Sequence, residues 1–248
     1  MHNLWVICLA GFAAGFVNAI AGGGTLFSFP ALMAGGLSAI AANATNTLAL
    51  VPGSLASAWA YRERLRANRA LIITYGLPSL IGGLAGAILL LATTERLFST
   101  IVPFLILLAC GLLILNEPIA RWMTQRAALH PKKHAVALWI CQLAIGIYGG
   151  YFGAGIGIMM LAAMAIFLPE DLQTANALKT LLAVFINGSA AVYFVCAGRI
   201  DYRLGGIMAV AAIAGGFIGA LTAQKMSPRW LRMAVVVYGV CIAVRMML

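Results

Sequence analysis

The chain consists of long apolar stretches separated by short segments that contain most of its charged residues. A helix needs about 20 mainly apolar residues to cross a bilayer. Two shorter apolar pieces, 26–34 and 158–167, each follow a glycine-rich motif. The pattern predicts an all-α polytopic membrane protein with about eight transmembrane helices. The predicted spans are residues 4–20, 43–61, 70–92, 97–115, 135–151, 176–197, 204–223 and 231–248.

The sequence also repeats itself at an offset of 133 residues, without a gap. The identities fall on glycine and asparagine, which an apolar bias alone would not align. We therefore expect two homologous four-span repeats, residues 1–115 and 135–248, joined by a basic linker at 116–134. Many transporters are built from such repeats, with the substrate site at their junction. The clearest matches are AGGG at 21–24 with AGIG at 154–157, ANA at 42–44 with 175–177, and GGLAGA at 82–87 with GGFIGA at 215–220.

Composition supports a membrane location. Apolar residues make up 63% of the chain, charged residues 9%, and the mean hydropathy is +1.01. An ordinary soluble domain has roughly 25% charged residues. The net charge of +10 does not predict nucleic-acid binding, because the basic residues cluster after the second and fourth spans.

The distribution of basic residues predicts an orientation. With eight spans, eleven basic residues fall on one side of the membrane and four on the other. The positive-inside rule places the side with eleven in the cytoplasm. This count favours two parallel halves with both termini inside. It also places the loop 62–69 with 116–134, and the acidic loop 170–171 opposite them. The basic cluster at 225–232 argues the other way, and inverted repeats stay an alternative.

The glycine motifs predict breaks in the helices. Each glycine costs about 1 kcal/mol relative to alanine within a helix. Unwound backbone inside a membrane occurs only where protein or a water-filled cavity satisfies it. We expect 22–24 and 155–157 to be non-helical, to face each other, and to be followed by re-entrant half-helices whose N-termini attract anions. Close helix packing is the simpler alternative. The candidate binding residues in this region are Asn18, Gly22, Gly23, Gly24, Gly155 and Gly157.

A second pair of motifs, NATNT at 43–47 and NALKT at 176–180, supplies polar groups within spans. Lys179 is the most informative residue, because an intramembrane lysine is costly and marks a functional site by default. Its alternative is a side chain that extends to the membrane surface. Asn43 and Asn176 have helix capping as their alternative role. The candidate binding residues here are Asn43, Asn46, Thr47, Asn176, Lys179 and Thr180, with Ser54, Ser57, Asn187 and Ser189 along the route.

Other chemistry has little support. All six acidic residues lie in loops or at span ends, which argues against a cation transporter. The five cysteines have no CxxC spacing, and no motif of an intramembrane enzyme is present. We expect no enzymatic activity, no metal and no cofactor.

The motifs as a set resemble the TauE/SafE family of sulfite-exporter-like permeases. The resemblance extends over both repeats and is carried by GFAAGFVNAIAGGGTLF, by ANATNT, and by ANALKT followed by GRIDY. It implies a bacterial inner-membrane transporter of small sulfur-containing anions, with the glycine cluster, Asn43, Asn46, Thr47, Asn176 and Lys179 in matching positions. One position departs from the family pattern, since Asn18 stands where many members have aspartate. A proton-linked carboxylate is therefore not expected there.

These observations favour a secondary transporter for a small anion such as sulfite or an organosulfonate. The expected partners are that anion and the lipid bilayer, and nucleic acid is not among them. A homo-oligomer is an open alternative, since the sequence does not determine the oligomeric state. The alternative is a membrane protein that assembles or inserts a partner without transport. That alternative explains helix packing but not paired glycine breaks beside an intramembrane lysine.

Overall fold

The computed structural model describes residues 4–127, 135–168, 170–225 and 229–247. The described residues form eleven α-helices and no strand. Numbered in chain order, they are α1 (Leu4–Ala21), α2 (Thr25–Ala34), α3 (Ala39–Ala60), α4 (Arg62–Ala67), α5 (Arg69–Ala92), α6 (Glu95–Ala127), α7 (Ala135–Tyr151), α8 (Ile156–Phe167), α9 (Leu172–Cys196), α10 (Tyr202–Lys225) and α11 (Arg229–Met247).

The helices follow the apolar pattern of the sequence closely. Four segments, Arg69–Ala92, Glu95–Leu115, Leu172–Cys196 and Tyr202–Gln224, are long and apolar enough to cross a membrane. Shorter apolar helices account for much of the remainder, among them α2 and α8. The predicted arrangement of eight spans in two four-span units is not confirmed, because each half contains five apolar helices when the short ones are included.

The two long helices that carry the asparagine motifs begin earlier than predicted. Ser38 accepts a hydrogen bond from Ala41 N–H (3.5 Å) and caps α3. Asp171 accepts from Gln173 N–H (2.8 Å) and Thr174 N–H (3.1 Å) and caps α9. The capping role considered for Asn43 and Asn176 is therefore wrong, since both lie inside the helices. Ser and Asp are favoured caps because their side-chain oxygens satisfy the first N–H groups of a helix.

The sequence repeat is also a structural repeat. Helices α3 and α9 begin at positions 133 residues apart, as do their caps Ser38 and Asp171. Helices α5 and α10 both begin and end at that offset. The short helix α4 is the one described element that has no equivalent in the other half.

The halves interlock through their glycines. Helix α1 packs on α10, and its equivalent α7 packs on α5. A Cβ at Gly15 would lie 2.4 Å from the carbonyl oxygen of Ala212, and a Cβ at Gly150 would lie 2.0 Å from that of Gly83. These backbones therefore approach as closely as the small-residue interfaces of membrane helices do.

Helices α1, α3 and α10 run in one direction. Along α1, Gly11 and Gly15 meet Met208 and Ala212 of α10 in the same order. The order is also shared by α3 and α10, whose contacting pairs are Thr45 with Gly205, Gly53 with Ala212, and Ser57 with Gly216.

The equivalent helices α7, α9 and α5 run together in the same way. Along α5, Gly82 meets Gly146 of α7, and further on Gly86 meets Tyr151. Toward α9, the successive contacts of α5 are Gly76 with Phe185 and Gly83 with Ser189.

The two groups of helices are antiparallel to each other. Arg64, which follows α3, forms an ion pair of 3.4 Å with Asp171, which precedes α9. Ser54 of α3, which precedes Arg64 along the chain, lines one cavity with Ala183 of α9, which follows Asp171 along the chain. The halves are therefore inverted, and the prediction of parallel halves is wrong. Five helices per half reverse the direction of the second copy, whereas four would not.

The ends of the bundle differ from the predicted topology. We call the end that contains α4, the start of α5 and the start of α9 the arginine-rich end. The loop around Asp171 lies there through its ion pair with Arg64, so its predicted place on the opposite side is wrong. Ile119 of α6 packs in one cluster with Ile72 of α5, as predicted for these two regions. Residues 128–134 lie outside the described residues.

Both the start of α1 and the end of α11 lie at the other end of the bundle, which we call the opposite end. The end of α11 lies there because α10 ends beside the end of α3, where Gln224 donates to the carbonyl oxygen of Ala60, and α11 runs back from there. Because α1 runs alongside α10 in the same direction, Leu4 lies near the start of α10. The predicted placement of both termini with the loop 62–69 is therefore wrong.

Candidate functional site

The first glycine motif is a break between helices, as predicted. Helix α1 ends at Ala21 and α2 begins at Thr25, so Gly22, Gly23 and Gly24 are non-helical. Gly22 has φ +76°. This left-handed conformation is accessible to glycine without the strain that other residues meet.

The second break lies slightly earlier than predicted. Residues 152–155 separate α7 from α8, with Gly153 and Gly155 both at φ +81°. Helix α8 begins at Ile156, so the prediction that 155–157 is non-helical is wrong for Ile156 and Gly157. The chain turns at Gly153 and Gly155, which both have positive φ angles, and Gly157 lies within α8.

The two breaks face each other, as predicted. The N–H of Gly155 donates to the carbonyl oxygen of Gly22 at 3.1 Å. A Cβ at Gly22 would lie 2.8 Å from Cα of Gly157, which is closer than real Cβ atoms approach. The contact between the halves therefore depends on glycine at both positions.

Beside this contact lies a small cavity between the two halves. It provides about 10 Å³ for the centre of a water-sized sphere, which is room for about one water molecule. None of its lining residues is acidic, and no group of three or more metal-binding side chains occurs among the described residues. The lining residues are Asn18, Ala19, Gly22, Ser54, Ser57, Ile156, Gly157, Lys179, Thr180 and Ala183.

Lys179 is the one charged residue of the cavity. It is 2% exposed, so it does not extend to the membrane surface. Its Nζ donates to Oδ1 of Asn176 at 3.1 Å. Its methylene groups lie against the start of α8, because a Cβ at Gly157 would be 3.1 Å from Cδ of Lys179.

The start of α8 adds partial positive charge to the same place. Ile156 and Gly157, its first two residues, both line the cavity. The first N–H groups of a helix have no partner within it and carry the positive end of the helix dipole. The cavity is therefore positive from two sources, the ammonium group and the helix N-terminus.

The remaining polar side chains of the cavity differ in what they can offer. Asn18 donates to Oγ of Ser54 at 3.4 Å. Ser57 donates to the carbonyl oxygens of its own helix and of Gly216, and Thr180 donates to that of Asn176. Asn18 and Ser54 are thus the neutral groups least committed to the backbone.

The equivalent motif in the first half makes hydrogen bonds to neighbouring protein groups. Asn46, the equivalent of Lys179, donates to Oγ1 of Thr25 at 3.4 Å and accepts from the hydroxyl of Ser28, both on α2. Asn43 donates to the carbonyl oxygen of Tyr151 at 3.0 Å. The first motif therefore contacts the short helix α2 of its own half through Asn46, and the end of α7 in the other half through Asn43.

The space equivalent to the cavity is filled by aromatic rings. The repeat position of Ala19 is Phe152, which is 1% exposed. Phe152 packs edge to face against Phe29 and Phe98, with ring centroids 5.6 and 6.3 Å apart. Tyr151 packs against Phe98 in the same way. We call these four residues the aromatic barrier.

The structure brings together only part of the predicted site. Five of the predicted residues line the cavity, namely Asn18, Gly22, Gly157, Lys179 and Thr180. Ser54 and Ser57, expected along the route, also line it, whereas Asn187 and Ser189 do not. The other predicted residues position the breaks or neighbouring helices, and they are Gly23, Gly24, Asn43, Asn46, Thr47, Gly155 and Asn176.

Residues 7–246 match the model of the family described as "Sulfite exporter TauE/SafE". The chain is 27% identical over 247 residues to a "Probable membrane transporter protein" of Haemophilus influenzae, covering 98% of this chain and 94% of that protein. It is 26% identical to "Probable membrane transporter protein ORF9" of Sinorhizobium sp., covering 99% and 93%. It is 27% identical to "Probable membrane transporter protein YfcA" of Escherichia coli K12, covering 98% and 89%. No solved structure matches the chain.

Proposed function

Because the chain belongs to the sulfite exporter TauE/SafE family and is a multi-pass membrane transporter of that type, we propose that it carries a small sulfur-containing anion. Sulfite and organosulfonates are the substrates we propose. Residues that line the cavity between the two inverted halves bind the anion in this proposal.

The observation that carries the proposal is the position of Lys179. A buried ammonium group loses its hydration, and an oxyanion bound beside it offsets that loss. The N-terminus of α8 adds N–H groups that favour negative charge. The amide of Asn18 and the hydroxyl of Ser54 complete a set of donors around the same small volume.

The size of the cavity implies movement during transport. Room for one water molecule is too little for sulfite, which has four heavy atoms. The conformation described is therefore a closed one, and the cavity enlarges when the anion enters. Inverted repeats provide a route to such a change, because each half can take the arrangement of the other.

The orientation in the membrane follows from charge in this proposal. The arginine-rich end contains Arg62, Arg64, Arg66 and Arg69 in and beside α4. The positive-inside rule places this end in the cytoplasm. The opposite end, with the aromatic barrier nearer to it, then faces outward.

Anion flux into proteoliposomes tests the proposal. Purified protein is reconstituted, and uptake of labelled sulfite, an organosulfonate and a monocarboxylate of similar size is compared with and without a pH gradient. We expect uptake of the sulfur-containing anions above that of protein-free vesicles and of vesicles that contain Lys179→Met. Uptake of none of them, with correctly folded protein, would contradict the proposal and favour a role in membrane assembly.

A further inference from the structure

Tyr61 has a buried hydroxyl group that no contact in the described structure explains. The residue follows the last turn of α3 and is 2% exposed. Its hydroxyl has no hydrogen-bond partner among the described residues. Leaving such a group unpaired costs about 1–3 kcal/mol, so its presence calls for a reason.

Tyr61 lies next to the cavity, on its arginine-rich side. Ser54, Ser57 and Tyr61 are spaced i, i+3 and i+7 along the chain, which places them on one face where α3 ends. Ser54 and Ser57 line the cavity. Tyr61 packs in one cluster with Ala19, which also lines the cavity, and with Ala177 of α9.

Beyond Tyr61 lies a basic group at the surface. Arg64 contacts Asp171 at 3.4 Å and Oγ1 of Thr174 at 3.5 Å. Arg64 lies three residues after Tyr61 along the chain, in α4. Because a tyrosine hydroxyl ionises only near pH 10, it is a donor at neutral pH. Tyr61 therefore offers a hydrogen-bond donor three residues before the guanidinium group of Arg64 along the chain.

The other half of the molecule shows that the ring alone fits this place in the fold. The repeat equivalent of Tyr61 is Phe194, which is 0% exposed in an apolar cluster that includes Phe98 and Phe152. An aromatic ring is thus compatible with this position in both halves. The hydroxyl is what distinguishes the arginine-rich side.

We propose that the Tyr61 hydroxyl donates a hydrogen bond to the transported anion, at a second position between the Lys179 cavity and Arg64. The proposal rests on the proposed function and extends it by one specific contact. An oxyanion accepts such a bond, and a chain of donors from Lys179 through Tyr61 to Arg64 lets it leave one positive group as it meets the next.

Tyr61→Phe tests the proposal, because it removes the hydroxyl and keeps the ring. In uptake assays of labelled sulfite into proteoliposomes, we expect the KM of the variant to rise or its rate of uptake to fall by about 10-fold, the loss of one hydrogen bond to a charged group. Tyr75→Phe is the matched control. Tyr75 is also buried, at 3% exposed, but packs in a separate cluster around α5 and α7, so its variant should transport at the parental rate.

Thermal unfolding in detergent separates a substrate contact from a structural one. Loss of an unpartnered hydroxyl should leave the midpoint of Tyr61→Phe unchanged or higher. A lower midpoint would reveal a structural partner and overturn the proposal, as would parental KM and rate in a stable variant. If the wild-type protein moves no anion, the proposed function fails and this contact fails with it. If only Tyr61→Phe is unchanged, the proposed function stands and the Tyr61 contact alone is refuted.

Discussion

On the arginine-rich side of the site the first half carries Ala19, and at the equivalent position on the opposite side the second half carries Phe152. The small residue leaves a cavity, whereas the large one fills the matching space with the aromatic barrier. The same asymmetry applies to charge, since Lys179 lines the cavity and its equivalent Asn46 is bonded to α2. Two copies of one unit have therefore diverged, so that one borders a small cavity and the other is filled by packed rings. The difference shows that a repeated backbone can hold side chains of different size and charge at matching positions.

The largest effect on transport is expected from removing the charge in the cavity. Lys179→Met should lower anion uptake by about 10- to 100-fold, because a hydrogen bond to a charged group is worth roughly 1.5–3 kcal/mol. Lys179→Arg should retain part of the activity, since a planar fork replaces a compact charge. Uptake of labelled sulfite into proteoliposomes measures both. Arg69→Met is the control for loss of one positive charge, because Arg69 is exposed at the arginine-rich end. Parental uptake by Lys179→Met would show that the Lys179 side chain has only a packing role, like that of a buried apolar residue.

Stability should be more sensitive to loss of volume in the aromatic barrier than beside the cavity. Phe152→Ala gives the second half the residue found at the equivalent position of the first. We expect it to lower the free energy of unfolding by about 3–5 kcal/mol, because it leaves a void among packed rings. Thermal unfolding in detergent measures the change. Phe104→Ala is the matched control, since Phe104 is 61% exposed on α6 and should cost far less. Equal losses in the two variants would mean that the aromatic barrier is not tightly packed.

The two helix breaks offer a finer comparison. Gly22 and Gly155 have similar left-handed φ angles of +76° and +81°. Alanine in this conformation costs about 1–2 kcal/mol at either position. At Gly22 the new Cβ would also meet backbone of Gly157 at 2.8 Å, whereas at Gly155 it would meet the movable end of Leu112 at 3.1 Å. Gly22→Ala should therefore lower the unfolding midpoint more than Gly155→Ala does.

A third glycine provides the control for this pair of breaks. Gly188 lies within α9, and a Cβ added there would have no neighbouring atom within 4 Å among the described residues. Gly188→Ala should raise stability by about 0.5–1 kcal/mol, because alanine has less freedom to lose on forming a helix. An equal loss from Gly22→Ala and Gly155→Ala would indicate that the contact with Gly157 relaxes at little cost.

The sequence was sufficient to predict the apolar helices and to place each break within a few residues, because apolar runs and clustered glycines act locally. It was not sufficient to predict the direction of the second half. Counting α2 and α8 as partial crossings changes an even number of reversals into an odd one. The charge bias could not distinguish parallel from inverted halves, because both arrangements place the same number of basic residues in the cytoplasm. Parallel halves place Arg199, Arg203 and Arg245 there, and inverted halves place the three basic residues at 225–232 there instead.

The candidate site was predictable where a residue type is rare in its surroundings. Lys179 is conspicuous as a charge within an apolar run, and the structure places it in the cavity. Asn43 and Thr47 have the same composition signal, yet both bond to backbone. The direction of a side chain depends on how the helices pack, which the spacing of residues along one helix does not determine. The aligned repeats also pair Ala19 with Phe152, but only the fold shows that Ala19 lines the cavity and that Phe152 fills the equivalent space.

The smallest effect is expected at the equivalent caps of α3 and α9. Asp171 accepts bonds of 2.8 and 3.1 Å from the start of α9, whereas Ser38 accepts one of 3.5 Å from the start of α3. Asp171→Ala should therefore cost about 1 kcal/mol at pH 7, and Ser38→Ala less. The exposed ion pair with Arg64 adds little to this.

The cap at Asp171 should also depend on pH, with a definite sign. Burial raises the pKa of the Asp171 carboxyl, but hydrogen bonds from Thr174 and Gln173 and the charge of Arg64 outweigh it, so the pKa is lowered on balance. A lowered pKa stabilises the folded protein above the ordinary value of about 4, and that stabilisation is lost as pH falls through the folded pKa. The difference in unfolding midpoint between wild type and Asp171→Asn should thus be present at pH 7 and shrink toward pH 3. Asparagine caps helices as well as aspartate does, so this variant isolates the charge. A difference that stays constant across this range would show that the carboxylate acts as a neutral cap, like Ser38 at the other end.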